Sequence, residues 1–185
     1  DADAGGYFLT GDEQERVLVR EKPLADGAEP SGNSVAVANL QRLHALTGEA
    51  RFRERAERTL RTFAASIERD PNATPGMLAA LDFHSDRAKE IVIVTASPEQ
   101  EPTAFLDAVA GRFLPNRVIA VVSEGSELKE LAGLAPLVAN KTARGGRPTA
   151  YLCERWVCRQ PTADPEVFAR QLAAVGPLPE SAPAE

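Results

Sequence analysis

The sequence lacks the features that mark membrane-spanning, disordered and nucleic-acid-binding proteins. Its 185 residues contain no apolar run of about 18 residues that would cross a bilayer. Acidic residues outnumber basic ones by 27 to 21 and only 5% of the chain is aromatic, which disfavours a nucleic-acid partner. With 43% hydrophobic and 26% charged residues, the composition is that of a folded globular protein. We therefore expect neither nucleic acid nor a membrane as a partner.

Cysteine is scarce, and the chain shows no native start. Two cysteines are too few for a secreted disulfide scaffold, which favours a reducing, cytoplasmic setting. The sequence begins at Asp1 without an initiator methionine or an apolar leader. We expect it to be a fragment or a processed piece of a longer protein.

Short catalytic motifs are missing as well. The sequence has no nucleophile elbow, phosphate-binding loop, zinc-protease motif or dinucleotide-binding glycine motif. The residues therefore assign no reaction, no cofactor and no metal site.

Hydrophobic periodicity divides the chain near residue 87. Residues 1–87 combine a loop-rich start, with β-like runs at 7–10 and 17–20, and three helices. The first helix has its predicted apolar stripe at Ala36, Leu40, Leu43 and Thr47. The predicted stripe of the second is Phe52, Ala56, Leu60, Phe63 and Ile67. Three helices with wide stripes bury only one layer, so we expect further helices from a missing segment or another chain.

Residues 88–175 are predicted to form a small α/β domain. Apolar runs at 91–94 and 118–122 predict strands buried on both faces. A helix between them, starting near Pro98 with Phe113 inward, makes a parallel β-α-β unit. A hairpin and a last helix follow, and residues 176–185 are predicted to be a disordered tail.

The loop at residues 26–34 contains two carboxylates, two hydroxyls and an amide directly before a predicted helix. Asp26 and Glu29 could act as acid and base in sugar chemistry, and a helix N-terminus can hold an anion. The alternative is structural: a turn at Asp26, a helix cap by Ser31 or Ser34, and local backbone bonds by Asn33.

Cysteine and histidine give weaker signals. Cys153 and Cys158 are interpreted first as buried structural thiols, with a reversible disulfide or redox pair and a metal site as alternatives. His44 and His84 are expected to be structural or solvated. The face at residues 51–61 alternates Arg with Glu, which is typical of a solvated helix surface rather than an anion-binding patch.

Four segments occur in the same order in one known family. They are GGYF at 5–8, DGAEPSGNSVA at 26–36, PNRV at 115–118 and TAYLCERWVC at 149–158. Over residues 5–173 the chain resembles the large thioredoxin-domain-containing proteins, the family of the animal spermatogenesis-associated thioredoxin-like protein and its bacterial relatives. The resemblance implies an N-terminal thioredoxin-like domain, a six-hairpin glycosidase-like (α/α) toroid and a small C-terminal α/β region.

The resemblance implies that residues 1–87 are the last helical hairpins of the toroid and that the thioredoxin-like domain and earlier hairpins lie outside this chain. The leading hypothesis is a toroid cleft for a carbohydrate-like small molecule. Its candidate catalytic residues are Asp26 and Glu29, and its candidate substrate-binding residues are Tyr7, Ser31 and Asn33. The alternatives are a non-catalytic scaffold or docking module and a thiol redox role of Cys153 and Cys158. Missing N-terminal segments of the same protein, or another chain, are the expected protein partners.

Overall fold

A computed structural model describes residues 1–11 and 19–175 of the chain. The chain divides into two compact units. The first comprises residues 1–44 and 49–85, and the second comprises residues 45–48 and those from 86 onwards. The architecture is mixed helix and strand.

Three helices dominate the first unit: α1 (Gly32–Thr47), α2 (Ala50–Arg69) and α3 (Pro75–Ser85). Gly48 follows the end of α1, and its φ of 71° places it in the left-handed region that favours glycine after a helix. The predicted stripe of α2 is confirmed except that Phe52 is only partly buried. The buried core of the unit is Val37, Leu40, Ala56, Leu60, Phe63, Ile67, Met77 and Ala80.

α1 buries a different face from the predicted one. Of the predicted stripe only Leu40 is buried, and Leu43 is 41% exposed. Val37 and Gln41 are buried instead. The periodicity was misleading because α1 carries apolar residues on more than one side, so hydrophobic spacing alone does not select the core face.

A four-stranded sheet forms the second unit, with the strand order β2-β1-β3-β4. The strands are β1 (Lys89–Thr95), β2 (Arg117–Ser123), β3 (Thr149–Glu154) and β4 (Val157–Cys158). The helices are α4 (Thr103–Ala110), α5 (Ser126–Leu134) and α6 (Pro165–Ala173). β1 and β2 are parallel and flank α4, so the predicted β-α-β unit is confirmed, whereas β3 runs antiparallel to both of its neighbours.

α4 and α6 pack together on one face of the sheet. Their rings meet edge to face, with the centroids of Phe105 and Phe168 5.7 Å apart. The cluster contains Ile91, Ile93, Phe105, Val109, Ala150, Leu152, Phe168 and Leu172. Asp164 caps α6 by accepting the Glu166 N–H at 2.8 Å, as the Asp-Pro-Glu sequence predicts.

Several local predictions need correction. Residues 7–10 form no strand, and residues 17 and 18 of the β-like run at 17–20 lie outside the described residues. α4 begins five residues after Pro98, and Phe113 lies beyond its end with 93% of its surface exposed. The prediction of a disordered tail at 176–185 also lies outside the described residues. The three α-helices of the first unit are too few to show a toroid, which stays a prediction.

Candidate functional site

Asp26 joins the start of α1 to the start of α3. One of its carboxylate oxygens accepts the Ser31 N–H and the other accepts the Gly76 N–H, each at 2.6 Å. Its own backbone N–H donates to the Ala73 carbonyl at 2.8 Å. Helix N-termini carry unpaired N–H groups and a partial positive charge, which favour a carboxylate there. The first candidate catalytic group is thus engaged by backbone at two helix starts.

Gly76 permits this close approach. A Cβ at Gly76 would lie 3.0 Å from Asp26 Oδ2 and 3.1 Å from Ser34 Cβ, so any larger residue would displace the carboxylate. Burial raises the pKa of Asp26, but the N–H donors of Ser31 and Gly76, together with nearby serine hydroxyls, outweigh it. The net effect holds the pKa of Asp26 below its ordinary value of 3.8. Asp26 is therefore ionised at neutral pH.

Ser31 is the helix cap that the sequence allowed. Its Oγ accepts the Ser34 N–H at 3.1 Å, and the two hydroxyl oxygens lie 2.9 Å apart. Glu29, the second candidate catalytic carboxylate, is exposed, and its backbone carbonyl accepts the Gly27 N–H at 3.0 Å. The two carboxylates of the loop therefore occupy different environments, one tied to backbone and one facing solvent.

Asn33, on α1, binds the N-terminal segment through side-chain hydrogen bonds. Its Oδ1 accepts the Tyr7 N–H at 2.7 Å, and its Nδ2 donates to the carbonyls of Tyr7 and Pro23 at 3.0 and 2.8 Å. The side chain is only 1% exposed. All three contacts are to backbone, so the Asn33 amide organises the chain around Tyr7.

Tyr7 lines a surface cavity of about 410 Å³. Asp1, Phe8, Thr10 and Arg20 line the same cavity, and the Arg20 guanidinium lies 4.1 Å from the centroid of the Phe8 ring. The other four candidate residues, Asp26, Glu29, Ser31 and Asn33, do not line it. The structure therefore brings the Asn33 side chain into contact with the Tyr7 backbone. Of the five candidate site residues, however, Tyr7 alone lines this cavity.

Cys153 and Cys158 form a disulfide across the hairpin of β3 and β4. The preference for two buried free thiols is therefore wrong, and Cys158 is exposed while Cys153 is 1% exposed. The two are direct partners in the ladder because only Arg155 and Trp156 separate the strands, with φ of 50° and 66°. Such a turn matches the twist of a hairpin and places the two sulfurs side by side. A redox role stays a prediction.

Glu90 is a buried carboxylate that sequence reasoning missed. It lies on β1 as the register partner of Cys153, is 4% exposed, and accepts the Trp156 N–H at 3.0 Å. Burial raises the pKa of Glu90, and the negative charge of Glu154 adds to this, while the Trp156 N–H and Lys141 act in the opposite direction. The only sequence signal was an acidic residue directly before an apolar strand.

Glu90→Gln is expected to stabilise the second unit by about 1 kcal/mol at pH 7, because burial disfavours the ionised carboxylate more than the Trp156 N–H and Lys141 favour it. The amide keeps an acceptor oxygen for the Trp156 N–H. The folded-state pKa is raised above the ordinary 4.5, so wild-type stability is highest below that value and falls as the pH rises through the folded-state pKa. The stability of the Glu90→Gln variant should not show this decrease with rising pH. Urea unfolding between pH 4 and pH 8 checks it, with exposed Glu101→Gln as the control; an unchanged pH profile would contradict the assignment.

The histidines make local contacts. His44 Nδ1 lies 3.1 Å from the Glu49 carbonyl, and His84 Nε2 lies 4.0 Å from Glu57 Oε1. Glu57 also pairs with Arg53 and Arg61 on the same helix at 2.8 and 3.1 Å. In residues 1–11 and 19–175, no group of three or more His, Cys, Asp or Glu side chains is arranged to hold a metal ion.

No helix within the described part of the chain combines the length and apolarity that a bilayer crossing needs. What the two units define is a three-helix unit with a backbone-capping polar loop, together with a mixed four-stranded sheet closed by a disulfide hairpin. No protein-family model matches the chain, and no solved structure matches it.

Known relatives nevertheless exist. Spermatogenesis-associated protein 20 of Rattus norvegicus is 34% identical to this chain over 166 residues, and that of Homo sapiens is 33% identical over 166 residues. Each match covers 89% of this chain. An uncharacterized protein of Caenorhabditis elegans is 31% identical over 157 residues. The chain spans only 21% of the length of these relatives. The chain is thus similar to a portion of spermatogenesis-associated protein 20.

Proposed function

We propose that this chain is a non-catalytic scaffold portion at the C-terminal end of a larger thioredoxin-domain-containing protein. The observation that carries the proposal is the use of Asp26, Ser31 and Asn33 for backbone hydrogen bonds. Groups held in this way organise the chain and have little freedom to transfer protons or bind a sugar. The resemblance to the thioredoxin-domain-containing family supports the position within the larger protein.

The uncovered faces of α1 and α3 support packing against further helices. Val35 and Leu43 on α1 are 43% and 41% exposed, and Leu81 on α3 is 37% exposed. A helix that is apolar on more than one side is usually buried by neighbours. The relatives are about five times longer than the matched segment, and the toroid implied by the resemblance would supply helices of that kind. In this proposal the occupant is the preceding part of the same polypeptide.

Cysteine accessibility in the full-length protein tests this packing. Val35→Cys places a thiol on an exposed side of α1, and Arg55→Cys places a matched thiol on the exposed polar side of α2. If further helices cover α1, maleimide should label Val35→Cys at least about tenfold more slowly than Arg55→Cys, because a buried thiol is shielded from reagent. Labelling is read by peptide mass spectrometry. Equal rates at the two positions would overturn the proposal.

A carbohydrate-like ligand is the second candidate function. The observation in its favour is that Glu29 is exposed and that Tyr7, 40% exposed, is held by Asn33 at the start of α1. In the full-length protein, Glu29→Gln should weaken binding of an oligosaccharide panel about tenfold, since a lost hydrogen bond to a charged group costs about 1.5 kcal/mol or more. Tyr7→Phe should weaken it severalfold, since a lost hydrogen bond to a neutral hydroxyl costs about 1 kcal/mol. Binding that is absent, or unchanged in both variants, would rule this candidate out.

A further inference from the structure

β2 is an edge strand with an uncovered apolar face. No other strand lies on its outer side within the described residues, since the strand order is β2-β1-β3-β4. Ile119 and Val121 are 38% and 46% exposed, although their neighbour β1 is buried along its whole length. This corrects the prediction that both parallel strands are buried on both faces. A seven-residue edge rich in β-branched residues, without proline or lysine, is a ready template for pairing.

We propose that two copies of this chain associate by antiparallel pairing of their β2 strands. A two-fold axis through Ala120 would set Ile119 opposite Val121 of the second copy, and Arg117 opposite Ser123 of the second copy. The same patch then serves both partners, as a two-fold interface requires. Apolar pairs of this kind stabilise a pair of strands through side-chain contact. The two sheets become one continuous sheet of eight strands.

The charges near the two ends of β2 favour a second copy of the chain as the partner and antiparallel pairing of the two strands. Arg112 lies before β2 and Arg117 begins it, whereas Glu124, Glu127, Lys129 and Glu130 follow its end with a net negative charge. Antiparallel pairing places the basic end of one copy beside the acidic end of the other, whereas parallel pairing would place like charges together. Because the inference concerns the second unit alone, it is independent of the proposed scaffold role.

The test measures the mass of the full-length protein by light scattering over a range of concentrations. The wild type should dimerise, and Val121→Lys should weaken the dimer at least about thirtyfold, since a charge at the centre of an interface removes a main contact. Leu106→Lys is the control, because Leu106 is also partly exposed but lies on α4 and not on β2. A monomeric wild type, or equal effects of the two variants, would overturn the proposal.

A charge reversal provides the second arm. Arg112→Glu and Glu127→Arg should each weaken dimerisation severalfold at low salt, and the double variant should restore it, because opposite charges then face each other again. Both residues are exposed, so the substitutions spare the core. Failure of the double variant to recover dimerisation would contradict the antiparallel arrangement.

Discussion

Replacing Asp26 with alanine is expected to lower the free energy of unfolding of the first unit by about 4 kcal/mol, because each hydrogen bond to an ionised group contributes about 1.5 to 3 kcal/mol. The two N–H donors, on Ser31 and Gly76, both lie at 2.6 Å. Without the carboxylate, both donors lose their acceptor at the start of a helix. Urea unfolding followed by helical circular dichroism measures the loss.

Asp26→Asn removes the negative charge of the side chain and keeps its shape nearly unchanged. The amide has one acceptor oxygen for two N–H donors, so we expect about half of the loss seen with alanine. In the wild type the folded-state pKa lies below 3.8, so the contribution is fully present above that value and is lost as the pH falls through the folded-state pKa. The Asn variant should show a smaller acid-induced loss.

Glu29→Gln is the matched control because Glu29 lies in the same loop and is exposed. Its effect on stability should stay within about 0.5 kcal/mol. A catalytic role for Asp26 predicts the reverse pattern, in which Asp26→Asn folds with unchanged stability and loses turnover. Equal stability losses at Asp26 and Glu29 would show that the caps are not the source of the effect.

The elements with one clear apolar stripe could be predicted from the sequence. α2 alternates charged residues with its stripe at Ala56, Leu60, Phe63 and Ile67, and that stripe is buried. α1 has apolar residues on more than one side, so its core face depends on which neighbours it meets. β2 reads like β1 in its apolar run, yet Val121 is exposed because helices cover only the neighbouring part of the sheet. Such differences arise from tertiary packing.

The loop chemistry could be located but not interpreted from the sequence. Local spacing showed that Ser31 can cap a helix, and it does. The partner of Asp26 at Gly76 is 50 residues away, and the partner of Glu90 at Trp156 is 66 residues away. No short-range pattern encodes contacts of this separation. The same polar residues therefore fitted a ligand site and a structural junction equally well until their partners were known.

Asn33→Ala is expected to lower the free energy of unfolding of the first unit by about 3 kcal/mol, at about 1 kcal/mol for each hydrogen bond. The amide contacts the Tyr7 N–H, the Tyr7 carbonyl and the Pro23 carbonyl. Because the side chain is 1% exposed, water cannot readily replace the lost amide. Urea unfolding gives the free energy, and hydrogen exchange at the Tyr7 amide should accelerate in parallel.

Asn33→Asp tests the same amide with nearly unchanged shape. At neutral pH an ionised carboxylate would face the carbonyls of Tyr7 and Pro23, to which Asn33 donates, so the loss should be at least as large as with alanine. Protonation at low pH restores one donor, and the difference from wild type should then shrink. Tyr7→Phe is the control, because the hydrogen bonds between Asn33 and Tyr7 involve the Tyr7 backbone and not its side chain. Its effect on stability should stay within about 0.5 kcal/mol. If Asn33→Asp kept wild-type stability and only weakened ligand binding, Asn33 would be a binding residue rather than a structural one.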